Sequence, residues 1–212
     1  MDDHVDALLA QMAAQGTGSV VALGGGSGPE LREFAKLGWS CTLVDTSTRM
    51  LALAARRLGP AVRYVQEDAV RYMTVQPERS AGTILHVGEI LGYVEDPEGL
   101  VRASARAMSA DGNLVQTFVD AARMRGRLGE SSVRHFSGGY WFLERRDPPL
   151  PMAAFDISLV LGWHATHGLE PIHRRLGPGP RCVVVSRLAD QPRRSSHEPG
   201  SLPPPPHRRG PM

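Results

Sequence analysis

Residues 20–30, Val20-Val21-Ala22-Leu23-Gly24-Gly25-Gly26-Ser27-Gly28-Pro29-Glu30, place four glycines in five positions between an apolar run and a helix-like segment. Glycine permits tight turning and a close approach of the backbone, and a loop that leaves a strand and enters a helix points its N–H groups at whatever lies beyond the sheet. Ser19–Leu23 is nearly continuous in apolar character, as expected of a strand buried on both faces. Pro29 suits a first helical turn, and residues 30–37 continue with apolar positions about three apart. The order is therefore strand, glycine loop, helix.

The same rhythm extends on either side. Upstream, Val5, Leu8, Leu9 and Met12 have helical spacing over residues 3–14, and Gly16-Thr17-Gly18 ends that helix. Downstream, Cys41–Val44 reads as a strand ending at Asp45, and Ser47–Leu58 as a helix with Ser47 as its N-cap. Val62–Val65 and Thr83–Val87 are expected strands, Pro97–Met108 a helix ending near Asp111-Gly112, and Asn113–Phe118 a fifth strand. Strands alternating with helices require crossover connections and predict a parallel α/β sheet covered on both faces. In such sheets ligands bind beyond the carboxyl ends of the strands.

After Asp120 the rhythm changes. Residues 121–155 hold a basic helix-like piece and an aromatic stretch, "HFSGGYWFLERRDPPLPM", with no crossover pattern, which makes this insert a candidate lid. A helix at Asp156–His167, the run Glu170–Arg175 and a strand at Cys182–Leu188 close the domain, the last two separated by Gly177-Pro178-Gly179-Pro180 as in a terminal hairpin. The expected fold is Rossmann-like, a doubly wound sheet of about seven strands, mostly parallel with a C-terminal antiparallel hairpin. Residues 1–17 form an N-terminal helix and linker, 18–190 the domain, and 191–212 a Pro- and Arg-rich tail that cannot bury enough apolar area to fold.

Composition narrows the partners. A formal net charge of +2 over 212 residues is too small to signal a polyanionic partner, and the basic residues form no stripe outside the tail, so no nucleic acid is expected. The acidic start, Met1-Asp2-Asp3, lacks signal-peptide character, and no apolar run reaches membrane-spanning length, so the expected location is cytoplasmic with no membrane contact. Cys41 and Cys182 lie far apart inside apolar runs and are read as buried free thiols. With two isolated thiols no metal site is expected, and His164 and His167 are read as an exposed helix end rather than as ligands.

Asp45 ends the second strand 21 positions after Gly24, where a carboxylate can accept hydrogen bonds from ribose hydroxyls. A nicotinamide dinucleotide and other adenosine cofactors both fit that pair of features. Spacing separates them, because the dinucleotide pattern GxGxxG begun at Gly24 requires glycine at position 29, and this chain has Pro29 in a GxGxG pattern.

These residues resemble the class I S-adenosylmethionine-dependent methyltransferases over about Gly18 to Leu188. "VVALGGGSG" is similar to the family's first motif, "VDTSTRMLALAARRLG" to its acidic second-strand end, and "VQEDAVRY" to its third-strand motif. "TILHVGEILGYVEDPEGLVRASARAMSADGNLV" resembles the fourth strand through the fifth, and "HGLEPIHRRLG" with "RCVVVSRL" the closing hairpin. The resemblance implies S-adenosyl-L-methionine as cofactor, held by Gly24, Gly25, Gly26, Ser27, Gly28, Asp45, Thr46, Met50, Asp68, Ala69 and His86, with Asp68 near the adenine amino group. The family has Asp or Glu two places before the first glycine, beside the methionine part of the cofactor. Here that place is Ala22, and the lost charge-assisted contact amounts to roughly 1.5–3 kcal/mol unless another group replaces it.

Methyl transfer from a sulfonium is an in-line displacement, so alignment and exclusion of water are the main tasks. The candidates for acid–base work are His86, Glu89 and Tyr93 after the fourth strand. Tyr93, His135, Tyr140 and Trp141 are candidates for contact with a small-molecule acceptor methylated on O or N. A non-catalytic binding or regulatory module of the same fold, with weakened cofactor binding, is the rival reading, motivated by Ala22.

Overall fold

Four consecutive buried residues, Val20 to Leu23, put β1 (Ser19–Leu23) at the centre of a sheet, as its unbroken apolar sequence requires. A computed structural model describes residues 3–125, 133–144, 150–176 and 179–189; the side chains of residues 133, 140, 143, 144 and 150 lie outside that description. The tail expected at 191–212 also lies outside the described residues, as do residues 177–178 of the terminal turn.

The main sheet has seven strands. In chain order these are β1, β2 (Ser40–Asp45), β3 (Val62–Gln66), β4 (Ala81–His86), β5 (Met108–Val119), β9 (Leu169–Leu176) and β10 (Arg181–Leu188). Their order in space is β3-β2-β1-β4-β5-β10-β9. The first five run parallel, and β10 lies antiparallel to both β5 and β9, which makes the terminal hairpin. Pairing of Leu23 with Val44 and of Ala22 with Leu85 levels the ends of β1, β2 and β4. Gly24, Asp45 and Val87 therefore leave the sheet side by side.

Helices cover both faces. On one, α1 (Asp3–Ala14), α2 (Arg32–Lys36, entered through a 3-10 turn at Pro29–Leu31) and α3 (Thr48–Leu58) bury Val5, Leu9, Leu31 and Phe34 against Val20, Leu43 and Leu85. The Trp39 indole N–H donates to the Ala13 carbonyl at 3.1 Å and holds the end of α1. On the other face, α4 (Ala69–Thr74), α5 (Pro97–Ala107) and α7 (Ile157–Thr166) bury Met73, Leu100, Val101 and Val160 against Ile84, Leu114 and Phe118. Ser47 and Asp96 cap α3 and α5 by accepting the Met50 and Gly99 N–H groups at 3.3 and 2.7 Å. Among the described residues no helix is long and apolar enough to cross a membrane.

Two elements were not foreseen. The first is α4, six residues long, capped by the Asp68 carboxylate, which accepts from Arg71 N–H at 2.9 Å. The Arg106 guanidinium closes its other end, donating to the carbonyls of Met73, Thr74 and Gln76. The second lies in the insert, where β6 (Val133–Phe136), β7 (Gly139–Glu144) and β8 (Leu150–Phe155) follow a short α6 (Ala121–Arg125) and form a separate antiparallel sheet. Ser137 and Gly138 make the β6–β7 turn, with Gly138 at φ +82 as such a tight hairpin demands. Phe155 of β8 joins the main core, while Phe142, Met152 and Ala154 pack on Val119 and Ala121.

Candidate active site

The glycine loop is held by its own backbone and by one carboxylate. Gly24, Gly26 and Gly28 have φ of +62, +53 and +71, and Gly24 N–H donates to the Val44 carbonyl at 2.8 Å. Asp45 Oδ2 accepts from Gly26 N–H and Oδ1 from Ser47 N–H, both at 2.8 Å. One side chain thus fastens the loop to the start of α3. Ser27 Oγ accepts from the Arg57 guanidinium at 2.8 Å, and the Met50 methyl packs under Gly26, 3.2 Å from where a Cβ would stand. Thr46 is exposed, and its carbonyl accepts from the Gln66 amide at 3.4 Å.

In front of this loop lies a cleft of about 250 Å³. Gly24 to Ser27 and Glu30 form one wall, and Val87 to Glu89, Thr117 and Arg181 the other, with Val5 of α1 at the rim. Glu89 is buried and held in a left-handed backbone conformation at φ +61. Thr117 Oγ1 accepts the N–H groups of Gly88 and Glu89 at 3.0 and 3.3 Å, which steadies that turn. The Glu89 carboxylate receives Arg181 in a forked pair, 2.7 Å to Nε and 3.4 Å to Nη2. Glu89 is thus a paired anion in the cleft wall rather than a solvated helix-start residue.

Glu30, expected only as a helix residue, is 5 % exposed and lines the same cleft. Its Oε1 has no hydrogen-bond partner. Burial raises this carboxyl to a pKa of about 7; a bond to its own backbone partly offsets that, and Asp45 and Asp6 raise it further.

His86 does not face the cleft, which corrects its expected place among the cofactor-binding and catalytic groups. It is fully buried, with Nε2 2.9 Å from Ser104 Oγ and Nδ1 2.7 Å from the Gln116 amide nitrogen. Gln116 Oε1 in turn bonds His164 Nε2, and His164 Nδ1 bonds Ser186 Oγ at 2.7 Å. Five buried polar side chains therefore run under the sheet between α5 and α7. Burial lowers His86 to about 3 and His164 to about 4, with the neighbouring histidine reinforcing each shift. His164 is not at an exposed helix end as expected, and only its neighbour His167, 3.3 Å from Glu98, is near the surface.

The other expected positions divide. Asp68 is exposed as the cap of α4, and Ala69 is buried in the core behind it. Tyr93 packs beside Val119 and Phe142 and does not line the glycine cleft. Trp141 lines a separate hollow of about 330 Å³ with Phe136, Phe155 and Trp163 beside the start of α5. His135 is exposed on β6, and the Tyr140 side chain lies outside the described residues. Among the described residues no cluster of His, Cys, Asp or Glu could hold a metal ion. Burial pushes the Cys41 and Cys182 thiols up to about 11, so neither is a ready nucleophile.

Reading the sequence missed Val5, Glu30, Thr117 and Arg181 as cleft residues. The vacant acid position at Ala22 was the available signal for Glu30. Arg181, a charge directly before the apolar run Cys182–Val185, was another.

The family model described as "Methyltransferase domain" matches residues 20–112. No curated protein sequence matches the chain. Three solved structures are similar in fold. A 1,6-didemethyltoxoflavin-N1-methyltransferase from Burkholderia thailandensis, solved with 1,6-didemethyltoxoflavin and S-adenosylhomocysteine bound, is 15 % identical at TM-score 0.66, over 88 % of this chain and 77 % of that one. The CcbJ methyltransferase from Streptomyces caelestis is 16 % identical at 0.68, over 89 % and 90 %. An S-adenosylmethionine-dependent methyltransferase from Mesorhizobium loti is 19 % identical at 0.65, over 86 % and 97 %. Residues 20–112 thus match the methyltransferase-domain model, and they lie in a seven-stranded sheet whose fold is similar to that of solved S-adenosylmethionine-dependent methyltransferases.

Proposed function

We propose that this enzyme transfers the methyl group of S-adenosylmethionine to an oxygen or nitrogen atom of a small-molecule acceptor held against Glu89, Thr117 and Arg181. The observation that carries this reading is the cleft itself, which faces a bare glycine backbone on one side and, on the other, a forked ion pair between buried Glu89 and half-exposed Arg181. A space of about 250 Å³ suits a small ligand. The toxoflavin enzyme of similar fold, which was solved with a small-molecule acceptor, supports the same class.

The chain's residues fit the cofactor: a side chain at Gly24 would collide with Ile90 and one at Gly25 with Glu30, so both stand where backbone must stay bare. Asp45 has lone pairs beyond those given to Gly26 and Ser47, with which it accepts ribose hydroxyls. Asp68, bonded through one oxygen to the α4 backbone, keeps the other for an adenine amino group, and Met50 and Ala69 supply apolar contact. When bound, the cofactor supplies a methyl group on a positively charged sulfur. Glu89 holds Arg181 in place and, for an amine acceptor, draws the nucleophile toward the loop; Arg181 orients an anionic or carbonyl part. His86 has no role in moving the proton.

Calorimetry with S-adenosylmethionine and S-adenosylhomocysteine tests the cofactor half of the reading, and silence from both ligands would overturn it. Asp45→Ala is expected to weaken S-adenosylhomocysteine roughly tenfold or more, since a charge-assisted contact and the tie on Gly26 go together. The acceptor half is tested by incubating the protein and the methyl donor with panels of small amines, phenols and carboxylic acids while following S-adenosylhomocysteine release. Arg181→Ala should lower turnover on any accepted compound at unchanged S-adenosylhomocysteine affinity, and unchanged turnover would remove Arg181 from the acceptor wall.

A further inference from the structure

We propose that Glu30 is the anion that receives the cofactor's α-ammonium group, and that it gives up a proton to solvent as the cofactor binds. The inference rests on the cofactor reading above and goes beyond it by making binding proton-linked. A residue 5 % exposed that lines a ligand-sized cleft and carries a buried, unpartnered carboxyl oxygen lacks a partner that an incoming group can supply. Its ionised form calls for a cation or a strong donor.

Position selects the ammonium end of the ligand. Glu30 Oε1 lies against Gly25, close enough that a Cβ at residue 25 would overlap it, so the second glycine of the loop is bare on the carboxyl's account as well as the cofactor's. The carboxyl sits on the loop wall, across the cleft from Glu89, which already has Arg181. Ala22, fully buried in the same helix-covered layer, has no charge to offer.

The charges around Glu30 agree. Asp6 of α1 and Asp45 of β2 both disfavour its ionisation, and the Glu89–Arg181 pair from the opposite strands is nearly neutral as a unit. Arg57 of α3 is committed to Ser27, and Glu33 of its own helix to Lys36. Free Glu30 is therefore largely protonated below neutrality, its pKa standing near 7. When the ligand's ammonium arrives, the carboxyl proton leaves to buffer and a carboxylate–ammonium pair forms, so total charge and protons balance.

Calorimetry of the full chain with S-adenosylhomocysteine at pH 6 and pH 8, in buffers of different ionisation enthalpy, reads this directly. Binding should release most of one proton at pH 6 and little at pH 8, and affinity should tighten roughly tenfold across that range. In Glu30→Gln the proton release and the pH dependence should vanish, and affinity at pH 8 should fall roughly ten- to hundredfold. 5′-Methylthioadenosine, which has the nucleoside and thioether but no ammonium, should bind wild type and Glu30→Gln alike at both pH values, which also reports that the variant is folded. PH-independent S-adenosylhomocysteine binding without proton release, or Glu30→Gln binding it as tightly as wild type at pH 8, would overturn the inference while leaving the cofactor reading intact. Absence of binding by both ligands at every pH would overturn the cofactor reading, and this inference with it.

Discussion

Gln116→Leu is expected to lower the melting temperature by about 5–20 °C. Gln116 is fully buried on β5, with its amide nitrogen on His86 Nδ1 and its oxygen on His164 Nε2. Leucine leaves both ring nitrogens unpaired, at about 1–3 kcal/mol each, or roughly 2–6 kcal/mol from a domain whose total stability is typically about 5–15 kcal/mol. Adding His86→Leu and His164→Leu removes the orphaned rings, and Ser104→Ala with Ser186→Ala removes the hydroxyls that those rings had satisfied, so the fivefold variant should recover part of the loss despite its number of substitutions. If it were less stable than Gln116→Leu alone in urea unfolding, the penalty would not come from unpaired imidazoles.

The same chain sets the acid limb of stability. An amide with one donating end and one accepting end makes both rings neutral and protonated on Nε2: His86 then donates to Ser104 and His164 accepts from Ser186. A second proton on His86 would meet the Gln116 amide donor, whereas one on His164 would meet a hydroxyl able to rotate and accept, in line with the lower pKa of about 3 for His86 against about 4 for His164. Both folded values lie below the ordinary 6.5, so their stabilisation is complete above pH 6.5 and is lost as pH falls toward 4 and 3. Glu30 has the opposite sign, because its folded value is raised from 4.5 to about 7, and its contribution is lost as pH rises through that interval. Near pH 5 two histidines outweigh one carboxyl, each full proton difference contributing about 1.4 kcal/mol per pH unit. Urea midpoints without ligand should therefore peak near neutrality and fall toward acid, and Glu30→Gln should gain on wild type progressively between about pH 4.5 and 7 and by a constant amount above.

What the sequence made legible was local. The strand, glycine loop and helix of residues 19–37, Asp45 at the end of β2 and the Ser47 cap all depend on neighbours a few residues apart, and all are present in the structure. The direction of His86 was not legible. Thr83 to Val87 is buried on both faces of a central strand, so no polar alternation marked which face His86 took, and its partners stand 18 and 30 residues away. Glu30 occupies a place where a first-turn carboxylate usually meets water, and the cleft it shares with Val5 of α1 and Val183 of β10 brings in residues distant in sequence. The three-stranded insert did carry a signal, since Ser137-Gly138-Gly139 between aromatic residues is hairpin chemistry, but the stretch has no crossover pattern and reads only as a lid. Asp68 shows the limit of motif reading: a carboxylate proposed for adenine is also the cap without which six residues of α4 would have no N-terminal acceptor.

Gly24→Ala should both destabilise the fold and weaken S-adenosylhomocysteine, and the two costs can be separated. At φ +62 an L side chain costs roughly 1–2 kcal/mol whatever its surroundings. Its Cβ would also drive into Ile90, whose Cδ1 is the nearest atom and whose Cγ1 would stand at 3.0 Å. Ile90 directly follows Glu89, so the collision is passed to the turn that holds Arg181, and the glycine loop and the acceptor wall lose their alignment together. Ile90→Val deletes Cδ1. In the double variant the steric part should be relieved, with a favourable coupling of about 0.5–2 kcal/mol in urea unfolding, while the backbone part persists. S-adenosylhomocysteine affinity should fall roughly tenfold or more in Gly24→Ala and recover only partly in the double variant, because alanine still resists the left-handed conformation that aims the loop's N–H groups. Full recovery of both stability and affinity would mean that contact with Ile90 alone requires a glycine there. No recovery would mean that the left-handed backbone alone requires it, and the two walls of the cleft would then be independent of one another.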